Sequence, residues 1–208
     1  MSTLTLSLDG YTDIPDTKIA VVVTYLEMKA RPEQDGVPDL PEVRLERWHN
    51  PDPSAYKELF REVGEDWIWF GRLMLPDDKL AAILSDPSCE NYRLMRGNQV
   101  LGMVELHFGD PENPEVSYFG LIPKAVGGGL GKWLMSQAID IAWSRPETQR
   151  LWLRTCTADS PQAIKFYLSR GFKPYRRSIE IADDPRLLGL YPCEAAPHVP
   201  CLGVRPER

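Results

Sequence analysis

The hydrophobic pattern of the first 85 residues predicts strands followed by helices. β-Branched and apolar residues dominate residues 19–28, which predicts a strand, and residues 41–47 alternate well enough for a short second one. Apolar positions then recur at helical spacing in residues 55–63 and 76–84. We therefore expect two short helices after the opening strand.

The pattern of residues 91–181 predicts a hairpin and then strands that alternate with helices. Residues 91–95 and 99–108 flank an Arg-Gly-Asn turn, as in an antiparallel hairpin. Further strands are predicted at 116–122, 150–156 and 172–181, with helices beginning at Leu130 and spanning 161–170. This order is typical of a mixed α/β sheet rather than a doubly wound parallel one.

The last 26 residues are rich in proline and differ from the rest of the chain. Prolines at 185, 192, 197, 200 and 206 predict an extended segment that wraps the domain, in which residues 198–204 could add an edge strand. The length of 208 residues suits one domain, with a core at about 19–182 and an extension at 183–208.

Composition and charge exclude several classes of function. The net charge of −6 and the scattered Lys and Arg argue against binding to duplex nucleic acid. No apolar run is long enough to span a membrane and the start does not resemble a signal peptide, so we expect a cytoplasmic protein. Four cysteines and three histidines lack metal-ligand spacing, so no metal is expected.

Four glycines stand between a predicted strand and a predicted helix: Gly127, Gly128, Gly129 and Gly131. Glycine lets backbone amides approach a phosphate, and a helix N-terminus adds partial positive charge. A P-loop would need glycine at Val126 and Ser or Thr at Trp133, and the dinucleotide fingerprint fails at Lys132 or Leu134. The loop is therefore either a diphosphate cradle of another type or a flexible turn that allows close packing.

Two blocks at fixed spacing resemble the GNAT superfamily of acyl-CoA-dependent N-acetyltransferases. Gly129 and Gly131 match that family's coenzyme motif Q/R-x-x-G-x-G/A, with Val126 where Gln or Arg is usual. About 30 residues later a second block resembles N-x-x-A-x-x-F-Y-x-x-x-G-F, with Ser160 at the Asn position and matches at Ala163, Phe166, Tyr167, Gly171 and Phe172. The pairing of the two blocks carries the resemblance.

The resemblance implies a fold and a coenzyme site. The fold would be a mostly antiparallel sheet of six to seven strands with about four helices, splayed between the family's fourth and fifth strands. Acetyl-CoA would lie in that gap, with its pantetheine on backbone groups of Leu121 and Ile122. Its pyrophosphate would bind the amides of Val126, Gly127, Gly128, Gly129, Gly131 and Lys132, and Ser160 would also contact the coenzyme. Lys132 would add a charge beside the phosphates, or it is simply a solvated lysine at the helix start.

The resemblance also suggests catalytic roles for two residues. Tyr167 would be the acid that protonates the departing thiolate, because a phenol stays protonated at neutral pH; the alternative is that it only packs the helix on the sheet. Glu105 would draw a proton from the amine through water, with Glu115 and His107 near it in sequence. The alternative for Glu105 is a solvated glutamate at a sheet edge.

The acceptor site is expected in the first two helices and their loop. Trp67, Trp69 and Phe70 follow the acidic pair Glu65 and Asp66, a mixture that would suit an amine with an apolar body, although plain aromatic packing explains it equally well. We expect transfer of an acetyl group from acetyl-CoA to a primary amine of a small molecule or peptide by direct attack in a ternary complex.

Two further options concern activity and assembly. The departures at Val126 and Ser160 keep open a non-catalytic acyl-CoA-binding module with the same fold. The exposed edge of the last predicted strand could pair two subunits as a homodimer.

Overall fold

The computed structural model describes residues 5–33 and 36–203. Its seven strands are β1 (Lys18–Met28), β2 (Val43–Arg47), β3 (Cys89–Arg96), β4 (Gln99–His107), β5 (Glu115–Leu121), β6 (Leu151–Cys156) and β7 (Lys173–Asp183). Its four α-helices are α1 (Pro53–Gly64), α2 (Asp77–Leu84), α3 (Leu130–Trp143) and α4 (Ala163–Ser169). The predicted elements are thus confirmed within a few residues.

All seven strands form one sheet in the order β2-β3-β4-β5-β6-β1-β7. Every neighbouring pair is antiparallel except β5 and β6, which are parallel. The predicted mixed, mostly antiparallel sheet is therefore confirmed. The turn between β3 and β4 uses Gly97 at a φ of 57°, where glycine is not strained.

β1 is the first strand along the chain, but it does not lie at an edge of the sheet. β1 instead lies between β6 and β7, and its register pairs Leu26 with Leu153 and Val22 with Ile179. The strand that leads into α1 and α2 is the short β2, which pairs with β3 at the far edge. β1 therefore completes the C-terminal half of the sheet.

The core lies between the sheet and the helices on its two faces. Helix α1 buries Tyr56, Leu59, Phe60 and Val63 along one side, in keeping with its helical spacing. Its start is capped by Asp52, whose carboxylate accepts a hydrogen bond from the Ala55 amide at 3.1 Å. Helix α3 is buried more deeply and covers the centre of the sheet.

The C-terminal extension (residues 184–203) runs through irregular turns, and residues 198–203 form no strand, while Val204 lies outside the described residues. Arg186 is buried and anchors this extension: its guanidinium donates to Asp184 and to the carbonyls of Ala195 and Val199. These hydrogen bonds hold the turns of the extension to one another.

Candidate functional site

A cleft opens where β5 and β6 part. The two strands pair only at Glu115–Trp152 and Val116–Leu153, and beyond this point they diverge. β5 also carries a bulge, because Glu105 pairs with Tyr118 while Leu106 pairs with Val116, which leaves Ser117 extra. The resulting cleft has a volume of about 450 Å³ and is walled by β5, β6, β1, the glycine loop and the aromatic loop after α1. The predicted splay is confirmed.

The free edge of β5 supplies backbone groups to one wall. The Ile122 amide donates to the Leu101 carbonyl at 3.0 Å, and Leu121 is opposite Gly102. Bonded and non-bonded pairs alternate in an antiparallel ladder, so the N–H and C=O groups of Leu121 and Phe119 face away from β4, into the gap. Ile122 was expected to bind pantetheine, but its amide is engaged; Phe119 is the neighbour that presents free backbone polar groups.

The glycine loop joins this edge to α3 and contains three consecutive glycines with positive φ. Gly127, Gly128 and Gly129 have φ of 113°, 57° and 81°, values that residues with a Cβ rarely adopt. No atom lies within 4 Å of where a Cβ would stand at Gly127 or Gly128. The amides of Gly131 and Lys132 are in the first turn of α3, where no intrahelical carbonyl reaches them. The loop thus offers open space, free amides and a helix N-terminus, which fits a diphosphate.

The other residues expected at the coenzyme lie around this loop. Val126 and Gly131 line the cleft, and the Val126 side chain is 72% exposed. Ser160 lines the cleft from the turn after β6, and its hydroxyl accepts from the Gln162 amide at 3.3 Å. Lys132 is exposed on the first turn of α3. Because each of these side chains is at the surface of the cleft or beside it, none is committed to the core.

Tyr167 lies in the wall between the two ends of the cleft. Its ring makes edge contacts with Phe119, Phe166 and Phe172 at centroid distances of 6.3, 5.4 and 6.1 Å. Among the described residues no hydrogen bond engages its hydroxyl. Burial, together with the negative charge of Asp159, raises the pKa of Tyr167 well above its ordinary value. The phenol is therefore held neutral, with a proton to donate.

Asp159, the residue before Ser160, lines the cleft and was not predicted from the sequence as a site residue. Its carboxylate accepts from the Thr155 hydroxyl at 2.5 Å, the Cys156 amide at 3.0 Å and the Trp69 indole at 3.2 Å. Cys156 lines the cleft beside it, and burial with the charge of Asp159 raises the pKa of that thiol to about 11. Cys156 is thus a protonated thiol at neutral pH.

The three aromatic residues predicted for the acceptor site all line the cleft, from the loop after α1. Trp69 packs against Phe60 and Tyr118 and is oriented by Asp159. Gly120 on β5 makes this approach possible, because a Cβ there would lie 2.4 Å from a Val63 methyl and 3.2 Å from the Trp69 ring. Trp67 and Phe70 are half-buried around it.

Glu105 is not at a solvated sheet edge, and it does not line the cleft. Its side chain is fully buried, and its two oxygens accept from Tyr56 at 2.6 Å and from Arg72 at 2.5 Å. Burial alone would lower the pKa of Arg72, but the charge and hydrogen bond of Glu105 raise it above the ordinary value. Glu105 therefore ties the loop that carries Trp67–Phe70 to the sheet, a structural role that alternation along a strand could not reveal.

The C-terminal extension supports the aromatic end of the cleft from outside. The Tyr191 hydroxyl donates to the Trp69 carbonyl at 2.6 Å, and a His198 ring nitrogen lies 2.8 Å from the Ala158 carbonyl. His198 also contacts the Trp67 ring at 5.8 Å. Two loops that form the cleft are thus held by one segment. On the opposite side Glu180 of β7 contributes a carboxylate to the lining.

Within residues 5–33 and 36–203, no helix is both long and apolar enough to cross a membrane. The same part of the chain contains no cluster of three or more His, Cys, Asp or Glu side chains suited to a metal ion.

Several solved structures share this fold at low sequence identity. A protein of unknown function from Staphylococcus epidermidis is 15% identical, with a TM-score of 0.60 over 80% of this chain and 63% of that one. An aminoglycoside acetyltransferase from an uncultured soil metagenomic sample is 13% identical (TM-score 0.51; 62% and 88% of the two chains). An acetyltransferase from Thermus thermophilus is 17% identical (TM-score 0.52; 68% and 96%). The chain thus spans less than two thirds of the staphylococcal protein.

Sequence comparison with curated proteins gives no significant match. Family comparison does: residues 42–172 match the model of the acetyltransferase (GNAT) family, well over half of the chain. The match includes the bulged β5, the glycine loop, α3 and the Tyr167 block, and it ends one residue before β7. Together with the splayed sheet, this match shows that the chain belongs to the GNAT acetyltransferase family.

Proposed function

We propose that the protein is an N-acetyltransferase that moves an acetyl group from acetyl-CoA to a primary amine of a small molecule or peptide. Family membership supports acetyl transfer in general. The observation that carries the finer proposal is the continuity of one cleft: it runs from the free edge of β5 and the glycine loop, past Tyr167, to the aromatic loop. Coenzyme and acceptor would meet beside Tyr167.

The coenzyme end suits a long, flexible ligand with a diphosphate. Backbone groups of Phe119 and Leu121 would bind the pantetheine arm, in the manner of an added strand. Amides of Gly128, Gly129, Gly131 and Lys132 would hold the pyrophosphate at the N-terminus of α3. When bound, acetyl-CoA supplies a thioester carbonyl that is open to attack by an amine.

Tyr167 would donate the proton that the departing thiolate needs. Its raised pKa supports this role, because a phenol that stays neutral can donate at any physiological pH. The ring contacts with Phe119 and Phe172 hold the hydroxyl in one position. Tyr167 is thus both packed and available, so the packing interpretation and the catalytic one are compatible.

Direct attack by the amine is favoured over a covalent acetyl-enzyme. Cys156 is the thiol in the cleft, and its pKa of about 11 leaves very little thiolate at neutral pH. Ser160 has no histidine partner among the hydrogen bonds of the described residues. A chemical quench that trapped labelled acetyl on the protein would contradict this step.

The acceptor would lie against Trp67, Trp69 and Phe70, with its ammonium attracted by the carboxylate of Asp159 on entry. The ammonium would lose one proton to bulk water before the neutral amine attacks the thioester carbon. As the C–S bond breaks, the thiolate would take the Tyr167 proton, and the second proton of the amine would restore the tyrosine. We propose Asp159, rather than the buried Glu105, as the carboxylate that orients the amine. Its oxygens already accept hydrogen bonds from Thr155, Cys156 and Trp69, so the carboxylate is fixed in place before an amine arrives.

The proposal is tested by calorimetric titration with CoA and acetyl-CoA, followed by an acetylation screen over primary amines. The decisive variants are Gly128→Asp and Gly128→Asn. Both residues tolerate the left-handed φ of 57° and both have open space, so only the added negative charge differs between them. We expect Asp to weaken CoA binding at least 30-fold relative to Asn.

Each result has a definite meaning. Equal affinities of the two variants would contradict a phosphate site at this loop. CoA binding without turnover of any amine would favour the non-catalytic module instead. Binding and turnover together, with the Asp variant defective in both, would support the enzyme.

A further inference from the structure

The outer edge of β7 is the most exposed regular element of the protein. β7 lies at the end of the sheet, and within the described residues no strand pairs with its outer side. Its eleven residues are exposed at nearly every position, including Ile179 at 52% and Ile181 at 37%. Val22, the neighbour of Ile179 on β1, is also 41% exposed. Such an open edge is a template for strand pairing.

The ladder with β1 determines which backbone groups point outward. The Asp184 amide donates to the Thr17 carbonyl, and the register continues through Ile19–Ala182, Val21–Glu180 and Val23–Ser178. Bonded and non-bonded pairs alternate along an antiparallel ladder. Ser178, Glu180 and Ala182 therefore form backbone hydrogen bonds with β1, and Asp184 does so with Thr17 just before it. Arg177, Ile179 and Ile181 therefore present theirs to the open edge.

Two charged side chains of β7, one positive and one negative, are spaced so that, in a two-fold symmetric pair of strands, each would face the opposite charge on the other copy. Arg176 and Glu180 are four residues apart, about 13 Å along a strand, so they do not neutralise each other within one chain. They are equidistant from Ser178, so an antiparallel copy of β7 centred on Ser178 would place each arginine opposite a glutamate. Arg177 and Ile179, both outward-facing, would become the hydrogen-bonded pairs.

We propose that two copies of this chain associate through β7, antiparallel and centred on Ser178, to form one continuous sheet. The Arg177–Ile179 pairs would exchange backbone hydrogen bonds on either side of the axis, and the Arg176–Glu180 pairs would flank it. The apolar surface of Val22, Ile179 and Ile181 would continue across the junction. Glu180 also lines the cleft, so Arg176 of the second copy would stand beside the cleft of the first.

Neighbouring registers are less favourable, which makes the assignment specific. Centring the pair on Arg177 would oppose two guanidinium groups directly. Centring it on Ile179 would leave Arg176 opposite Ala182 and Glu180 opposite Ser178, without either ion pair. The bulge at Tyr175 and the missing amide hydrogen of Pro174 limit pairing beyond Arg176.

Charge reversal tests the interface. Light scattering on a size-exclusion column should give twice the monomer mass of 23.6 kDa for the natural protein. Arg176→Glu should weaken the dimer at least tenfold by opposing two carboxylates, and the double variant Arg176→Glu with Glu180→Arg should restore it. Lys79→Glu, an equal charge change on the exposed face of α2, should leave the mass unchanged.

Cross-linking tests the register of the two strands by a second route, which does not depend on whether the charge variants fold. A cysteine at position 178 would face its own copy in a non-bonded pair, where Cβ atoms are about 4.5–5.5 Å apart, within reach of a disulfide. Ser178→Cys treated with oxidised glutathione should run as a covalent dimer, whereas the natural protein and Ser169→Cys on α4 should not. A monomeric natural protein, a dimer unaffected by Arg176→Glu, or no cross-link at 178 would overturn the proposal.

Discussion

The two ends of the cleft differ in the groups that they present to a ligand: backbone amides at one end and side chains at the other. At the coenzyme end the free edge of β5 and the glycine loop present main-chain amides. At the acceptor end Trp67, Trp69, Phe70 and Asp159 present side chains, held by hydrogen bonds from elsewhere in the fold. One end is made by backbone conformation and the other by residue identity.

This difference explains why the family is easy to recognise and the acceptor is not. A backbone cradle needs glycine at a few positions of unusual φ, and those positions leave a signature in any member. A pocket of side chains can change with every substitution in its walls, while the fold stays the same. Structural neighbours at 13–17% identity therefore share the sheet, and their substrates say nothing definite about this one.

The largest predicted effect removes the support of the acceptor end. Glu105→Ala leaves the largely buried Arg72 without its carboxylate and Tyr56 without its acceptor. Breaking a buried pair from one side typically costs about 3–5 kcal/mol. For a protein of this size the melting temperature should fall by roughly 6–20 °C.

Thermal unfolding followed by circular dichroism measures this change. Glu46→Ala is the matched control, since Glu46 forms ion pairs with Arg44 and Arg93 at the surface, where solvent screens such pairs and they contribute little to stability. If both variants melted alike, the Arg72–Glu105 pair would not be what holds the aromatic loop to the sheet.

Tyr167→Phe should cause the second largest effect, at the junction of the two ends. Loss of a general acid typically lowers kcat by about 100-fold or more, whereas the ring contacts with Phe119 and Phe172 are retained. We therefore expect kcat to fall about 100-fold with less than a twofold change in CoA affinity. Tyr11→Phe, at a fully exposed tyrosine, is the control. A kcat within threefold of the natural value would rule out Tyr167 as the acid.

The pH profile gives a second test of Tyr167. An acid works while it is protonated, and a pKa raised above the usual value of about 10 keeps the phenol protonated throughout the neutral and mildly alkaline range. The rate should therefore show no decline attributable to Tyr167 between about pH 7 and 9.5. A decline in that range that was absent from the residual activity of Tyr167→Phe would mean that the pKa is not raised.

The sequence predicted the coenzyme end, which is formed by the backbone, better than the acceptor end, which is formed by side chains. The glycine loop and the Tyr167 block followed from local signals, because turn chemistry and motif spacing are properties of short segments. The splay followed only from the family resemblance that these two blocks carry. The position of β1 could not be predicted, since a run of β-branched residues predicts a strand but not its partners. The burial of Glu105 was missed for a related reason: alternation assigns a face to Glu105, but the depth depends on Tyr56 and Arg72, which are distant in the chain.

Asp159→Asn should produce a smaller effect that is confined to the acceptor end. The amide keeps the size of the carboxylate and loses its charge, so attraction for an ammonium weakens while Trp69 remains packed against Phe60 and Tyr118. We expect kcat/KM for the amine to fall about tenfold and CoA affinity to stay within twofold. Asp78→Asn on the exposed side of α2 controls for general charge effects. Equal losses for amine and coenzyme would show that the two ends are not separable.

Val126→Gln should produce the smallest effect, and it tests the backbone interpretation most directly. Glutamine restores the residue usual at this position of the family motif, but the Val126 side chain is 72% exposed and the proposed phosphate contacts come from amides that the substitution does not move. We therefore expect the Kd for CoA, measured by calorimetry, to change by less than about threefold, with Lys124→Gln, exposed in the same turn, as control. A tenfold gain in affinity would show that a side chain does contribute to coenzyme binding and that the natural valine weakens it. The coenzyme end would then depend on side chains as well as on backbone amides, and would differ less from the acceptor end than proposed.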